Sequence, residues 1–168
     1  MSAIVSPELV EQAWQRVGAL DAPEVLKLQN RSGGFQPELV GFVLGFTSKM
    51  SPQGMGIALY AMLVLFEMFQ RVPATTFSKV KDKTIMKLWR ANAELTSALL
   101  ANDFDLDLMR EFVAESAEPA ALRYVVEALA DVQEESAELP PKEVAEILAI
   151  HKTVIDSLHA VAKGRPSS

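Results

Sequence analysis

The sequence contains two histidines, His151 and His159, which are its side chains best suited to proton transfer. Helical bundles bind paired iron ions with Glu-x-x-His motifs, because that spacing brings both ligands to one metal. Leu148 lies three residues before His151, and only Asp156 before His159 supplies an acid at this spacing. The chain has no cysteine. We therefore expect no metal site and no cofactor.

His151 and Asn92 are polar residues within apolar helical stripes. Val144, Ile147, Leu148 and Val154 share a predicted face with His151. A neutral core imidazole with one satisfied nitrogen is the favoured interpretation, and a proton-transfer or ligand-orienting group is the alternative. For Asn92 we likewise expect a hydrogen-bonded core amide rather than a ligand contact.

Glu67 and Asp156 occupy matching positions in two similar stretches of the chain. If the two carboxylates met across a two-fold axis, one pKa would rise and acid–base chemistry would become possible. The favoured interpretation is that each acid forms its own ion pair, with Arg71 four residues after Glu67 as one partner.

Charged residues form stripes at helical spacing. Lys79, Lys83, Lys87 and Arg90 lie four, four and three residues apart. Such a stripe is usually a solvated face, although it can also steer an acidic partner or hold phosphate. The net charge of −6 argues against nucleic acid as the main partner, because its binding depends on neutralised phosphates.

No phosphate-binding loop, dinucleotide motif, nucleophile elbow or zinc-protease motif occurs in the sequence. We therefore favour a protein that is not an enzyme, while leaving that question open. Apolar residues recur with a period of 3.6, which predicts an all-α, compact bundle of about eight helices. The predicted ranges are 7–20, 23–30, 37–47, 52–71, 79–100, 106–115, 119–133 and 141–163.

Two sequence breaks are expected to end helices. The Ser32-Gly33-Gly34 run should end the second helix, and Gly164 should be the residue just after the last one. We expect no strand, and a disordered tail over residues 164–168. On the first helix, Trp14 is predicted to lie on the packed side with Ala13 and Val17.

The sequence resembles itself at two offsets. Residues 37–44 match 119–126 at an offset of 82, and residues 52–69 match 141–158 at an offset of 89. Trp14 and Trp89 occur in the longer helix that precedes each pair. We predict two four-helix repeats, 1–74 and 75–163, related by a pseudo-two-fold axis within one globular domain. The fourth and eighth helices should face each other at its centre.

The longest uninterrupted apolar run, 57–66, is about half of the ~20 residues that a membrane-spanning helix needs. Together with the absence of a signal-like start, this predicts a cytoplasmic protein outside the membrane. We expect a protein-interaction or scaffold domain, with a protein partner or self-association. The alternative is a small-molecule binder or enzyme with a pocket between the repeats, lined by His151, Asn92, Tyr60 and Tyr124.

Overall fold

The computed structural model describes residues 2–135 and 139–164, and helices make up most of this part of the chain. The prediction of an all-α bundle is confirmed, with eight helices among the described residues. These are α1 (Pro7–Gly18), α2 (Ala22–Phe35), α3 (Pro37–Thr47), α4 (Pro52–Gln70), α5 (Asp82–Ala101), α6 (Leu106–Ala114), α7 (Pro119–Glu135) and α8 (Pro141–Val161). Residues 136–138 and residues 165–168 of the predicted tail lie outside the described residues.

Proline and serine begin several of these helices as the sequence predicts. Ser6 Oγ accepts a hydrogen bond from the amide of Leu9 at 3.1 Å, and Ser51 Oγ accepts one from Gly54 at 3.1 Å. A proline follows each serine at the first helical position, where its missing N–H removes no helical bond. These caps fix the start of α1 and of α4 from local sequence alone.

The prediction that Ser32-Gly33-Gly34 ends the second helix is wrong, because α2 continues to Phe35. The Ser32 hydroxyl donates to the carbonyl of Leu28 at 2.8 Å, so it stays within the helix. The ring of Phe35 packs edge-on against Phe66 and Phe77, with centroids 5.6 and 5.8 Å away. This aromatic packing outweighs the helix-breaking tendency of the two glycines.

The prediction of no strand is also wrong in one small region. Thr76–Phe77 (β1) and Ala162–Lys163 (β2) pair antiparallel, so the last helix ends at Val161. Gly164 follows β2 with a φ of 69°, a left-handed conformation that favours glycine. A Cβ there would lie 3.0 Å from the carbonyl oxygen of Ala74. Gly164 is therefore required by the strand pair and does not cap the helix.

α4 contains the longest uninterrupted buried stretch of the described structure. All residues from 61 to 69 are buried, so this stretch is covered on every side. By length and composition α4 is the one described helix that could cross a membrane, but the core helix of a soluble protein meets the same test. Its burial among the other helices is that of a soluble protein.

α8 packs against α4 as predicted, but its most extensive interface is with α5. The predicted pair of α4 and α8 is therefore extended by a third helix, α5. The interfaces between helices also occur in matching pairs: α1 packs on α4 and α7, while α5 packs on α8 and α3. Such pairing is what a two-fold relation between the repeats requires. That relation, and the division at residue 74, stay predictions.

A buried carboxylate attaches the amino-terminal segment to the bundle. Glu118, just before α7, is fully buried and its carboxylate oxygens accept hydrogen bonds from the amides of Ile4 and Val5 at 3.0 Å. Nδ1 of His159 on α8 lies 2.5 Å from Oε2 of the same carboxylate. One side chain therefore holds together the chain start, α7 and α8.

Replacing Glu118 by alanine should lower the free energy of unfolding by about 3 kcal/mol, because two backbone amides, one of them buried, and an imidazole lose their partner. Urea denaturation followed by circular dichroism measures this loss. Glu127→Ala, at an exposed position on α7, is the control and should change stability by less than about 0.5 kcal/mol. Equal losses in the two variants would contradict the assigned role of Glu118.

Candidate functional site

His151 is fully buried between α4 and α8. Its Nδ1 lies 2.7 Å from the carbonyl oxygen of Ile147, and its Nε2 lies 2.8 Å from that of Ala58. A neutral imidazole has one N–H and donates to one of these carbonyls at a time. Both ring nitrogens face backbone oxygens, so the imidazole connects two helices.

Burial lowers the pKa of His151 below its ordinary value, because the charged ring loses its hydration. The two backbone carbonyls favour the charged ring and oppose this effect, but they do not reverse it. The ring is therefore neutral near pH 7.

Asn92 is buried in a polar network between α5 and α8. Its Nδ2 donates to the hydroxyl of Thr153 and to Oδ2 of Asp156, both at 3.1 Å. Nζ of Lys152 donates to Oδ1 of Asn92 at 3.0 Å and to Oδ2 of Asp156 at 2.8 Å. The amide and the carboxylate thereby share one lysine.

The two candidate acids have separate cationic partners. Nε of Arg71 donates to Oε1 of Glu67, and Nε of Arg16 on α1 lies 3.4 Å from the same oxygen. Asp156 is paired with Lys152 instead. Each acid thus has a local ion pair of the kind that the sequence favours, and the two carboxylates share no partner among these pairs.

The tyrosines lie close to each other at the surface. Burial, together with the nearby Tyr60, raises the pKa of the Tyr124 phenol far above its ordinary range. Tyr60 is exposed, and its hydroxyl lies beside Gly18 on α1. Tyr124 lines a groove described below, whereas His151 and Asn92 line none of the pockets described below. None of these pockets is lined by all four residues.

We define groove A as the cleft between α1 and α7, with a volume of about 390 Å³. Trp14 stands in it with 48% of its surface exposed, so its predicted place on the packed side of α1 is wrong. The lining residues are Pro7, Val10, Glu11, Trp14, Ala120, Arg123, Tyr124, Glu127, Ala128 and Asp131.

We define groove B as the cleft between α3 and α5, with a volume of about 420 Å³. Phe46 is 38% exposed. The centroid of its ring lies 4.6 Å from the ring centroid of Trp89 and 4.9 Å from that of Phe42. The lining residues are Glu38, Gly41, Phe42, Gly45, Phe46, Asp82 and Met86.

The two grooves contain corresponding residues. The offset of 82 carries the α3 lining of groove B onto α7, so that Phe42 falls on Tyr124. The offset of 75 that separates Trp14 from Trp89 carries Pro7 onto Asp82. By these offsets, each lining residue of groove B falls on a lining residue of groove A. The offset of 82 could be found in the sequence, but the exposure of Trp14 and Phe46 could not.

The basic stripe lies at the surface, on one side of groove B. Lys83, Lys87 and Arg90 are exposed on α5. Lys79 is exposed too, but α5 begins at Asp82, so this lysine precedes the helix and the predicted helix start was wrong.

The described residues contain no cluster of three or more acids and histidines that could hold a metal ion. Searches of protein-family models, curated proteins and solved structures gave no significant match to this chain. Its function is therefore inferred from its own geometry.

Replacing His151 by methionine, the residue at the matching position 62, should change how stability depends on pH. The pKa of His151 is below its ordinary 6.5 in the folded state, so the unfolded chain binds more protons below pH 6.5. The wild type should therefore lose up to about 1.4 kcal/mol per pH unit, relative to the variant, as pH falls below 6.5. Urea denaturation of both proteins between pH 5 and 8 measures this difference, and parallel pH curves would contradict it.

Proposed function

We propose that this protein is a non-enzymatic interaction domain that binds basic amphipathic helices in groove A and groove B. The observation that carries this proposal is the exposure of Trp14 and Phe46 in two clefts with corresponding linings. Large aromatic side chains in a cleft are typical anchors of protein interfaces. Both clefts lie between pairs of helices, the setting in which a partner helix places its apolar face.

The charged residues that line each groove favour a basic partner. Glu11, Glu127 and Asp131 outnumber Arg123 among the residues that line groove A. Groove B contains acids and no base in its lining, although the basic stripe lies nearby. Lysines beside the apolar face of a partner helix would find carboxylates at either groove.

In groove B the backbone of α3 is open to close approach by a partner helix. Gly41 and Gly45 lie one helical turn apart on α3, and a Cβ added to either would meet no heavy atom within 4 Å. A helix can therefore come nearer to α3 here than side chains normally allow. Phe46 stands beside this open strip and would pack against the side of that helix.

The side chains that could take part in acid–base chemistry are held by other groups of the protein, which favours binding over catalysis. His151 faces two carbonyls, Asn92 and Asp156 share Lys152, and Glu67 is paired with Arg71. These groups are in the core or in local ion pairs, whereas the groove surfaces are mainly apolar.

Two matching grooves imply that one chain binds two helices. This part of the proposal uses the repeats 1–74 and 75–163, and the correspondence of the groove linings supports it. We also propose that the interaction takes place in the cytoplasm, because α4 is mostly buried among the other helices and not free to enter a membrane.

A synthetic leucine–lysine amphipathic peptide of about 18 residues, roughly 27 Å long when helical, is the probe for this proposal. Isothermal titration should give two peptides bound per chain. Trp14→Ala should weaken one site and Phe46→Ala the other, each by about ten-fold, because an aromatic anchor contributes on the order of 1–2 kcal/mol.

Leu26→Ala is the matched control, since Leu26 is exposed on α2 outside both grooves. It should leave both sites unchanged, and a leucine–glutamate peptide should not bind. Binding that is indifferent to peptide charge, or to both aromatic substitutions, would refute the proposal.

A further inference from the structure

A third pocket, of about 290 Å³, lies between α6, α7 and α8 and is chemically unlike the grooves. Its lining contains no charged residue. Leu106 stands at its edge on α6 and is 63% exposed. The lining residues are Phe104, Leu106, Met109, Val126, Leu129, Ala130, Gln133, Pro141, Val144 and Leu148.

The one amide-bearing residue of the lining does not make the pocket polar. Nε2 of Gln133 donates to the carbonyl of Leu139 at 3.1 Å, and its Oε1 is shielded from solvent. A molecule in the pocket therefore meets carbon surfaces on all three helices.

A strained turn places Phe104 in this pocket. Asp103 and Phe104 have φ values of 54° and 53°, a left-handed conformation that costs energy for residues other than glycine. The amide of Phe104 donates to the carbonyl of Leu99 at 2.8 Å, which holds the turn. Backbone strain of this kind concentrates at ligand-binding positions.

From these observations we propose that the pocket is a binding site for a medium-length aliphatic chain whose head group is not anionic. The volume suits a ligand of about ten heavy atoms. The apolar walls on three sides provide the burial that an alkyl chain needs.

Acidic residues next in sequence to the lining residues Phe104 and Leu106 bear on the choice of head group. Leu106 lies between Asp105 and Asp107 in sequence, and Asp103 precedes them; all three are exposed. Arg110, 3.7 Å from Asp107, is the one cation paired with them among the described residues. A carboxylate head group would face net negative charge, whereas a hydroxyl or ammonium group would not.

Three ligands with the same chain length separate these alternatives: 1-decanol, decylammonium and decanoate. In calorimetric titrations of the full chain, decanol and decylammonium should bind with one site and decanoate at least ten-fold more weakly. Methyl NMR signals of Val126 and Leu148 should shift on binding.

Two variants locate the site. Ala130→Trp fills the pocket from an exposed position on α7 and should weaken decanol binding at least ten-fold. Leu106→Ala removes one exposed wall and should weaken it by about three-fold. Ala91→Trp, at an exposed position on α5 outside the pocket, is the matched control and should bind decanol normally.

No decanol binding up to its solubility limit, equal binding of decanoate, or normal binding by Ala130→Trp would overturn the proposal. It would also be overturned if the protein were a dimer that Ala130→Trp dissociates and decanol does not affect, because the pocket would then belong to a second copy. Trp14→Ala and Phe46→Ala should bind decanol normally, so this site and the grooves are tested separately.

Discussion

The need to cover residues 61–69 of α4 on every side is the constraint on which the rest of the structure depends. A helix with an uninterrupted buried stretch from 61 to 69 has no face to offer water, so other helices must surround it. α1, α3 and α8 provide most of this cover, and α2 and α7 complete it. The stretch includes a carboxylate, Glu67, which is tolerable because Arg71 and Arg16 reach it from partly exposed positions.

Polar groups also lie at the contact between α4 and α8, where their partial or full burial requires that they form hydrogen bonds with one another. Where the two helices meet, Glu143 accepts hydrogen bonds from the amide and hydroxyl of Ser51. A Cβ on Gly54 would lie 2.5 Å from the Glu143 carboxylate, so this position has room only for glycine unless that side chain moves. Further along, His151 reaches the Ala58 carbonyl. Gly54 and Glu143 are counterparts at the offset of 89, and contact between counterparts is the arrangement expected next to a two-fold axis.

Local signals made most of the fold predictable, and long-range contacts account for what was missed. Proline after serine and the 3.6-residue period depend on neighbouring residues, so the starts of α1 and α4 could be predicted. The extension of α2 depends on Phe66 and Phe77, which are far away in sequence. The same holds for the strand pair, and for Glu118, whose partners lie more than 40 residues away. The exposure of Trp14 could not be predicted, because the helical period does not show how far α7 stands from α1.

The strand pair has a consequence for how the chain can be rearranged. β1 and β2 lie close to the two ends of the second predicted repeat, and Thr76 is directly opposite Lys163. A segment whose two ends are hydrogen-bonded neighbours begins and ends at one place in the fold, which is the geometry that permits its insertion into another chain.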